Sequence, residues 1–199
     1  MTDTFAVEPI SEDNVEALVG LFDAAGCACF CRYFHFTGTK NEWLDRLAHD
    51  PLEGARELRA SVASASVSAS SRSGGLVARD RSGEAVGWAK VVPLAAVPKL
   101  RLQGAYRPLD LGDETTTLVV GCLLVHPAHR KSGVARALVR AAQAFAATSG
   151  ASRLLGLPRR SALPLYDEEA FAGPERVYEK LGFRVLHPSP AYPVYAFDI

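Results

Sequence analysis

An excess of charge, a long apolar run and a secretory leader are all missing from this sequence. The 199 residues carry 22 Lys plus Arg and 22 Asp plus Glu, so no net field attracts nucleic acid or an anionic membrane. No apolar run approaches the ~20 residues that cross a bilayer. The first residues include Asp3 and Glu8 where a signal peptide has a basic region and an apolar core. We therefore expect no nucleic-acid partner, no membrane partner and no signal peptide.

Cysteine is also scarce, with four residues in the chain. That number does not suggest a disulfide scaffold, so a reducing cytoplasm is the simpler expectation. Hydrophobic residues make up 48% of the sequence, which is enough for one full core at this length. Length and composition together predict a single domain over residues 1–199.

Hydrophobic spacing predicts a mixed α/β chain. Short apolar or alternating runs are typical of strands, and they cover residues 4–10, 76–79, 85–92, 118–125, 153–157, 183–186 and 192–198. Apolar residues at helical spacing predict helices at about 12–25, from about 41, at 134–150 and at 174–181.

Finer expectations follow from individual residues. Ser11 is a good N-cap for the first helix, and Gly26 is suited to end it. In the second helix, Trp43, Leu44 and Leu47 are expected on the buried side. The Ser- and Ala-rich stretch 61–73 is consistent with either a helix end or a loop, and 93–115 is predicted to be a long irregular loop.

The predicted strand 118–125 leads into a turn that combines basic residues with glycine. Pro127 cannot donate to a sheet ladder, so the strand should end near it. The first N–H groups of the helix that follows have no intrahelical partner and carry partial positive charge. Gly133 lacks a Cβ, so a ligand can approach the backbone closely. The turn therefore predicts an anion site suited to phosphate or pyrophosphate. It comprises Arg130, Lys131, Ser132, Gly133, Val134, Ala135 and Arg136.

These residues resemble a known signature. Residues 130–135 match the Arg/Gln-x-x-Gly-x-Gly/Ala pattern of the GNAT superfamily of N-acyltransferases. Residues 177–183 are similar to that family's late helix and its Gly-Phe turn into the next strand. The resemblance implies the α/β GNAT fold, a mixed sheet of about seven strands with helices on both faces.

The resemblance also implies ligands. Acetyl-CoA is the expected cosubstrate, with its pyrophosphate at residues 130–136 and its pantetheine amides beside Leu124 and Val125. No metal is expected. A homodimer is an expectation from the family alone.

Acyl transfer to an amine needs a deprotonated nucleophile and a proton for the departing thiolate. Removing the proton of an alkylammonium with a pKa of about 10.4 costs on the order of 4–5 kcal/mol at pH 7. Tyr178 occupies the position of the GNAT tyrosine that protonates the CoA sulfur, so we predict it as the acid, with plain packing as the alternative. Several relatives carry a glutamate base where this chain has Val119. Glu114 is the carboxylate closest to the strand and the candidate base, and a base acting through water, or none, stays open.

A second cluster of chemically active residues is the segment 27–35, with Cys27, Cys29, Cys31 and His35. Thiols and imidazole are zinc ligands, but an extended segment places the thiols on one side without the spacing of a zinc knuckle. Buried free cysteine beside aromatic residues is the alternative. The segment resembles a GNAT subgroup with a Cys-x-Cys-aromatic sequence after its first helix, where it borders the acceptor pocket.

The sequence therefore predicts a cytoplasmic N-acetyltransferase that transfers acetyl from acetyl-CoA directly to an amine acceptor in a ternary complex. The acceptor is a small molecule or a peptide. Two alternatives stay open at this point. One is a CoA-binding sensor or interaction module without catalysis, and the other is a thiol redox or metal module built on residues 27–35.

Overall fold

The computed structural model describes residues 5–67, 74–166 and 169–199. A seven-stranded mixed sheet forms its centre, in the strand order β1-β2-β3-β4-β5-β7-β6. Among the described strands, β4 and β5 run parallel and all other neighbours are antiparallel. The strands are β1 (Ala6–Pro9), β2 (Gly75–Arg79), β3 (Ala85–Pro93), β4 (Thr117–Val125), β5 (Arg153–Gly156), β6 (Arg184–His187) and β7 (Val194–Asp198). The predicted mixed sheet of about seven strands is confirmed.

Helices cover both faces of the sheet, as predicted. They are α1 (Val15–Ala24), α2 (Lys40–His49), α3 (Glu53–Val67), α4 (Pro98–Leu102), α5 (Val134–Thr148) and α6 (Glu175–Lys180), with short 3-10 turns at Tyr33–His35, Leu94–Ala96 and Pro127–His129. On one face α5 buries Leu138 and Ala142 against the sheet. On the other, α1 and α3 bury Leu18, Phe22 and Leu58. Among the described helices, none is long and apolar enough to span a membrane.

The structure confirms some of the local expectations and corrects others. The N-cap of α1 is Asn14 and not Ser11, because the Asn14 side chain turns back to accept from the Ser11 N–H at 2.8 Å. Gly26 does end α1, with a φ of 63°. In α2, Trp43 is buried but Leu44 is 52% exposed, because it lies on the solvent side of that helix. The stretch 61–73 continues α3 to Val67, and its remainder lies outside the described residues.

The feature that positions the site is the short pairing between β4 and β5. The two strands pair at four positions, from Thr117 opposite Arg153 to Val120 opposite Gly156. β4 then continues to Val125 while β5 has ended. Parallel neighbours that separate in this way leave backbone N–H and C=O groups of the longer strand without a ladder partner. The sheet therefore opens beside residues 121–125.

Candidate functional site

The cradle, residues 130–136, folds as the sequence predicts. Gly133 is the N-cap of α5 and has a φ of 102°, a conformation that favours glycine. The first hydrogen bond within α5 runs from the Ala137 N–H to the Gly133 carbonyl at 3.0 Å. The N–H groups of residues 134–136 therefore have no acceptor within the helix. A Cβ on Gly133 would meet nothing nearer than Arg136 Nη2 at 4.0 Å. The backbone face is therefore open to a ligand.

The turn that leads into the cradle is held by its own hydrogen bonds. His129 N–H donates to the His126 carbonyl at 2.9 Å, and Ser132 Oγ donates to the His129 carbonyl at 2.5 Å. Lys131 has a φ of 61°, which turns the chain so that the helix N-terminus faces outward. The hydroxyl of Ser132 is thus already engaged in shaping the turn. The Val134 side chain is buried in the core, so this residue can offer a ligand only its backbone N–H.

A narrow cavity of about 130 Å³ adjoins the cradle. On the β4 side it is lined by Leu123, Leu124 and Val125, and on the cradle side by Arg130 and Ala135. The opposite wall comes from Ala170, Gly173 and Pro174. Arg130 and Ala135 belong to both the cradle and this cavity, so the cradle and the narrow cavity form one continuous surface.

Residues 170–174, here called the cover segment, close the gap that β5 leaves. The Leu123 N–H donates to the Phe171 carbonyl at 2.5 Å, which replaces the missing ladder partner. Gly173 has a φ of 81°, and a Cβ there would stand 2.5 Å from Leu123 Cδ1. Sequence reasoning did not identify this segment. Its one local signal is the pair Gly173-Pro174 ahead of a helix.

Comparison with known proteins places these features in a family. A sequence profile of the acetyltransferase (GNAT) family matches residues 41–183, a span that contains both the cradle and the cover segment. The chain belongs to the GNAT acetyltransferase family. No curated protein matches it.

Solved structures share the GNAT fold over the whole chain. A GCN5-related N-acetyltransferase from Kribbella flavida has 16% identity and a TM-score of 0.55, with 100% of both chains covered. The PaiA N-acetyltransferase from Thermoplasma acidophilum, solved in complex with coenzyme A, has 9% identity and a TM-score of 0.55 over 98% of this chain and 99% of that one. A GNAT acetyltransferase from Listeria monocytogenes has 11% identity and a TM-score of 0.56, covering 98% and 95%.

Tyr178, the predicted GNAT acid, lies on α6 and is fully buried. Its hydroxyl donates to the Ala172 carbonyl at 2.6 Å, and its ring packs against Phe183 and Tyr195 at centroid distances of 5.2 and 6.3 Å. Burial raises the pKa of the Tyr178 hydroxyl far above its usual range. The residue touches the back of the cover segment and does not line the narrow cavity, so its catalytic role stays a prediction.

The candidate base Glu114 lies at the other end of β4. Its carboxylate is exposed and pairs with Arg101 at 3.1 Å. The six residue steps from Thr117 to Leu123 span about 20 Å of strand, so the structure does not bring Glu114 to the narrow cavity. Val119, at the position of the glutamate in several relatives, is fully buried in the core. The geometry therefore gives Glu114 no support as a base.

The cysteine segment is a tight turn, which corrects the extended conformation expected from its sequence. Arg32 N–H donates to the Cys29 carbonyl at 2.8 Å, and the two central residues, Phe30 and Cys31, have φ values of 45° and 52°. Two consecutive positive φ angles define a type I′ turn. The apolar alternative is the one observed at Cys31, which is buried and accepts from Trp88 Nε1 at 3.3 Å.

The thiols of this segment are poorly suited to metal or redox chemistry. A contact with Cys27 Sγ at 3.5 Å works to lower the pKa of the Cys29 thiol, but its contact with Cys31 and its burial outweigh this and raise the pKa to about 12. Burial also raises the pKa of the Cys31 thiol well above its usual range. Both groups stay protonated at neutral pH, whereas the thiolate is the form that binds metals. Within the described residues, no group of His, Cys, Asp and Glu has the geometry to hold a metal ion.

Proposed function

We propose that this protein is an acetyl-CoA-dependent N-acyltransferase that passes the acetyl group directly to an amine acceptor in a ternary complex. The observation that carries the proposal is the continuity between the cradle and the narrow cavity, which meet at Arg130. A ligand that fills both must join an anionic group to a thin chain, as acetyl-CoA joins its pyrophosphate to its pantetheine arm. Bound coenzyme A in the PaiA structure supports this choice.

Each part of the cradle has a role in this proposal. The amides of Val134, Ala135 and Arg136 donate to the pyrophosphate, aided by the partial positive charge at the N-terminus of α5. The side chains of Arg130, Lys131 and Arg136 balance its charge. Backbone groups of Leu124 and Val125 bind the pantetheine amides along the open edge of β4. When bound, acetyl-CoA supplies an activated acetyl thioester.

The acid in this proposal is Tyr178. Because burial keeps its hydroxyl protonated, it can donate a hydrogen bond or a proton to a developing thiolate. The hydroxyl is bonded to Ala172, so the cover segment must shift before Tyr178 can act. The carboxylates considered from the sequence lie away from the narrow cavity, so the proposal assigns the amine proton to water. This point separates the chain from relatives with a strand glutamate.

Three further statements belong to the proposal. The chain works as a single domain over residues 1–199. It acts in the cytoplasm, an environment that suits four free cysteines. The proposal assigns the chain to the GNAT subgroup that its Cys-x-Cys-aromatic segment resembles, where that segment borders the acceptor pocket.

The direct test is Gly133→Glu. The substitution adds a carboxylate where the anion would lie and forces an L side chain into a φ of 102°. We expect acetyl-CoA affinity, measured by isothermal titration calorimetry, to fall by about 100-fold or more, which is about 2.8 kcal/mol. Desulfo-CoA should bind the wild type and lose affinity in the same way, because it retains the pyrophosphate.

A matched control is Gly182→Glu. Gly182 is exposed, has a φ of 80° and has no atom within 4 Å of a Cβ position, so it imposes similar strain and the same charge away from the cradle. We expect its acetyl-CoA affinity to match the wild type. Equal affinity in Gly133→Glu and the wild type contradicts the cradle assignment. Binding without amine-dependent release of CoA thiol contradicts the transferase assignment and favours the sensor alternative.

A further inference from the structure

A second cavity, of about 510 Å³, extends to the sheet face covered by α1 and α3. It shares no lining residue with the narrow cavity. Part of its wall is apolar, with Leu58, Val62 and Trp88, and part is basic, with Arg32, His35 and Lys90. We call it the basic cavity. A pocket of this kind, largely apolar with a few convergent polar groups, is typical of a small-molecule site.

Lys90 is the decisive residue of the basic cavity. It lies in the middle of β3 and is 3% exposed, yet its ammonium makes no hydrogen bond to any part of the chain that the structure describes. Its charged or titratable neighbours are the thiols of Cys29, Cys31 and Cys122 and the guanidinium of Arg32. No carboxylate of the described residues forms an ion pair with it. A buried ammonium without a partner is costly, so a bound anion would supply what the fold leaves out.

The charge of Arg32 is balanced within a cluster of ion pairs that does not include Lys90. Its Nε is paired with Glu57 at 3.1 Å, but Glu57 is also paired with Arg46 at 2.6 Å. One carboxylate is thus shared by two guanidinium groups, and a second carboxylate, Glu53, joins Arg46 at 2.6 Å. These four charges cancel, and Lys90 is left as the unbalanced charge. A single uncompensated cation fits a monoanion such as a carboxylate better than a doubly charged phosphate.

His35 adds an acceptor to the same wall. Its Nε2 is buried without a hydrogen-bond partner, while the Ala96 carbonyl bonds the ring from the other side. Burial, together with the charges of Lys90 and Arg32, lowers the pKa of His35 to about 4. The ring is therefore neutral at pH 7, and its unpartnered Nε2 has a lone pair that can accept one hydrogen bond. It is suited to accept an N–H from a ligand.

Lys90, on the wall of the basic cavity, pairs with β4 next to the narrow cavity. Lys90 is the Cα partner of Cys122, and Cys122 is followed by Leu123, the first β4 residue of the narrow cavity. The pairing of β3 and β4 shifts register between Lys90 and Val91, opposite Gly121. This bulge lies where β4 has lost its β5 partner, so Lys90 stands beside the opening in the sheet.

We propose that the basic cavity is the acceptor pocket and that the acceptor is a small amine with a carboxylate, which Lys90 and Arg32 bind while His35 Nε2 accepts an N–H. The inference rests on the proposed function. An amino acid with an apolar side chain fits this chemistry, because Trp88, Leu58 and Val62 supply the apolar wall. An anion stabilises the protonated form of Lys90, so binding should raise the pKa of its side chain.

The test compares amines in matched pairs, with and without the carboxylate: phenylalanine with phenethylamine, and leucine with isoamylamine. For wild type, we expect kcat/KM to favour the carboxylate-bearing member. In Lys90→Met that preference should fall by at least about tenfold, the usual effect of losing a charge-assisted hydrogen bond. Lys180→Met, the same change at an exposed surface position, should keep the wild-type preference. An equal loss for both members of a pair, or no loss, overturns the proposal.

Binding without acetyl-CoA separates this inference from the proposed function. Calorimetry with the same amino acids should show binding to wild type that weakens by at least about tenfold in Lys90→Met, because the variant lacks the buried cation. If that holds while no acetyl transfer occurs, the anion site stands and the transferase proposal fails. If transfer proceeds but neither amino acid binds wild type better than Lys90→Met, the transferase proposal stands and the carboxylate inference fails. Inorganic phosphate that binds more tightly than the amino acids, and loses that affinity in Lys90→Met, also overturns the inference.

Discussion

Tyr178→Phe tests whether one hydroxyl holds the cover segment in place and also takes part in the chemistry. The hydroxyl donates to the Ala172 carbonyl at 2.6 Å inside a fully buried environment. Removing it keeps the ring contacts and leaves the carbonyl without its donor. An unsatisfied buried group costs about 1–3 kcal/mol, so we expect a loss of about 2 kcal/mol in the free energy of unfolding. At ~2–4 °C per kcal/mol for a chain of this size, Tm should fall by about 4–8 °C.

Urea denaturation followed by fluorescence measures the stability change, and a steady-state assay of CoA thiol release measures turnover. If Tyr178 also protonates the leaving thiolate, kcat should fall by about 100-fold or more while acetyl-CoA affinity stays within a few-fold of wild type. If the variant keeps the wild-type kcat, Tyr178 has a packing role and no catalytic one. A variant with unchanged stability refutes the argument from the Ala172 bond.

The control is Tyr195→Phe, which deletes the same atom from the neighbouring ring. Tyr195 Oη donates to Glu175 at 2.7 Å and to Glu179 at 3.1 Å. Those carboxylates reach solvent, and Glu175 keeps its ion pair with Arg160, so water can replace the lost donor. We expect a stability loss under about 1 kcal/mol and no loss of kcat.

Two other predictions concern stability. Gly156→Ala places a Cβ 2.3 Å from the Tyr178 ring, so overpacking should lower the free energy of unfolding by about 1–3 kcal/mol. Gly121→Ala is the matched control, because the nearest atom to its Cβ is 3.8 Å away. Equal unfolding free energies for the two variants refute the argument. Burial lowers the pKa of Lys90 in the folded protein below its value in the unfolded chain. Between the folded and unfolded pKa values the unfolded chain binds more protons, so wild-type stability rises with pH in that window. Lys90→Met should lose this rise and be more stable than wild type at pH 7, as Tm measurements at pH 7 and pH 9 can check; a lower Tm contradicts the buried-cation argument.

The cradle was predictable because its geometry depends on neighbours in sequence. A buried strand, a proline, a glycine and a helical repeat follow one another within about twenty residues, and each constrains the backbone locally. Gly133 and the first turn of α5 therefore form where expected. The N-cap of α1 shows the limit of the same approach. Ser11 has the right side chain, but Asn14 takes the position because its side chain also bonds Glu8 and the Pro9 carbonyl, which a one-dimensional pattern does not contain.

The cover segment and the basic cavity were not predictable, because both depend on residues far apart in sequence. The bond from Leu123 to Phe171 joins positions 48 apart, and it forms only because β5 stops early. Lys90 did leave a signal, since a lysine within an otherwise apolar strand needs a reason to be there. Arg32 and His35, which line the same cavity, follow a turn in which Phe30 and Cys31 have positive φ angles. Such angles are unusual for residues of these types.

The proposed transfer requires the donor and the acceptor to meet at the opening between β4 and β5. A fully hydrogen-bonded sheet separates ligands on its two faces, since its backbone groups are paired and its strands are about 4.8 Å apart. Direct transfer needs the acyl donor and the amine in contact, so it requires a place where the ladder ends while a strand continues. In the described sheet that place is β4 beyond Val120. The Leu123 N–H there donates to the Phe171 carbonyl, so the proposed transfer requires this hydrogen bond to open before the two ligands meet.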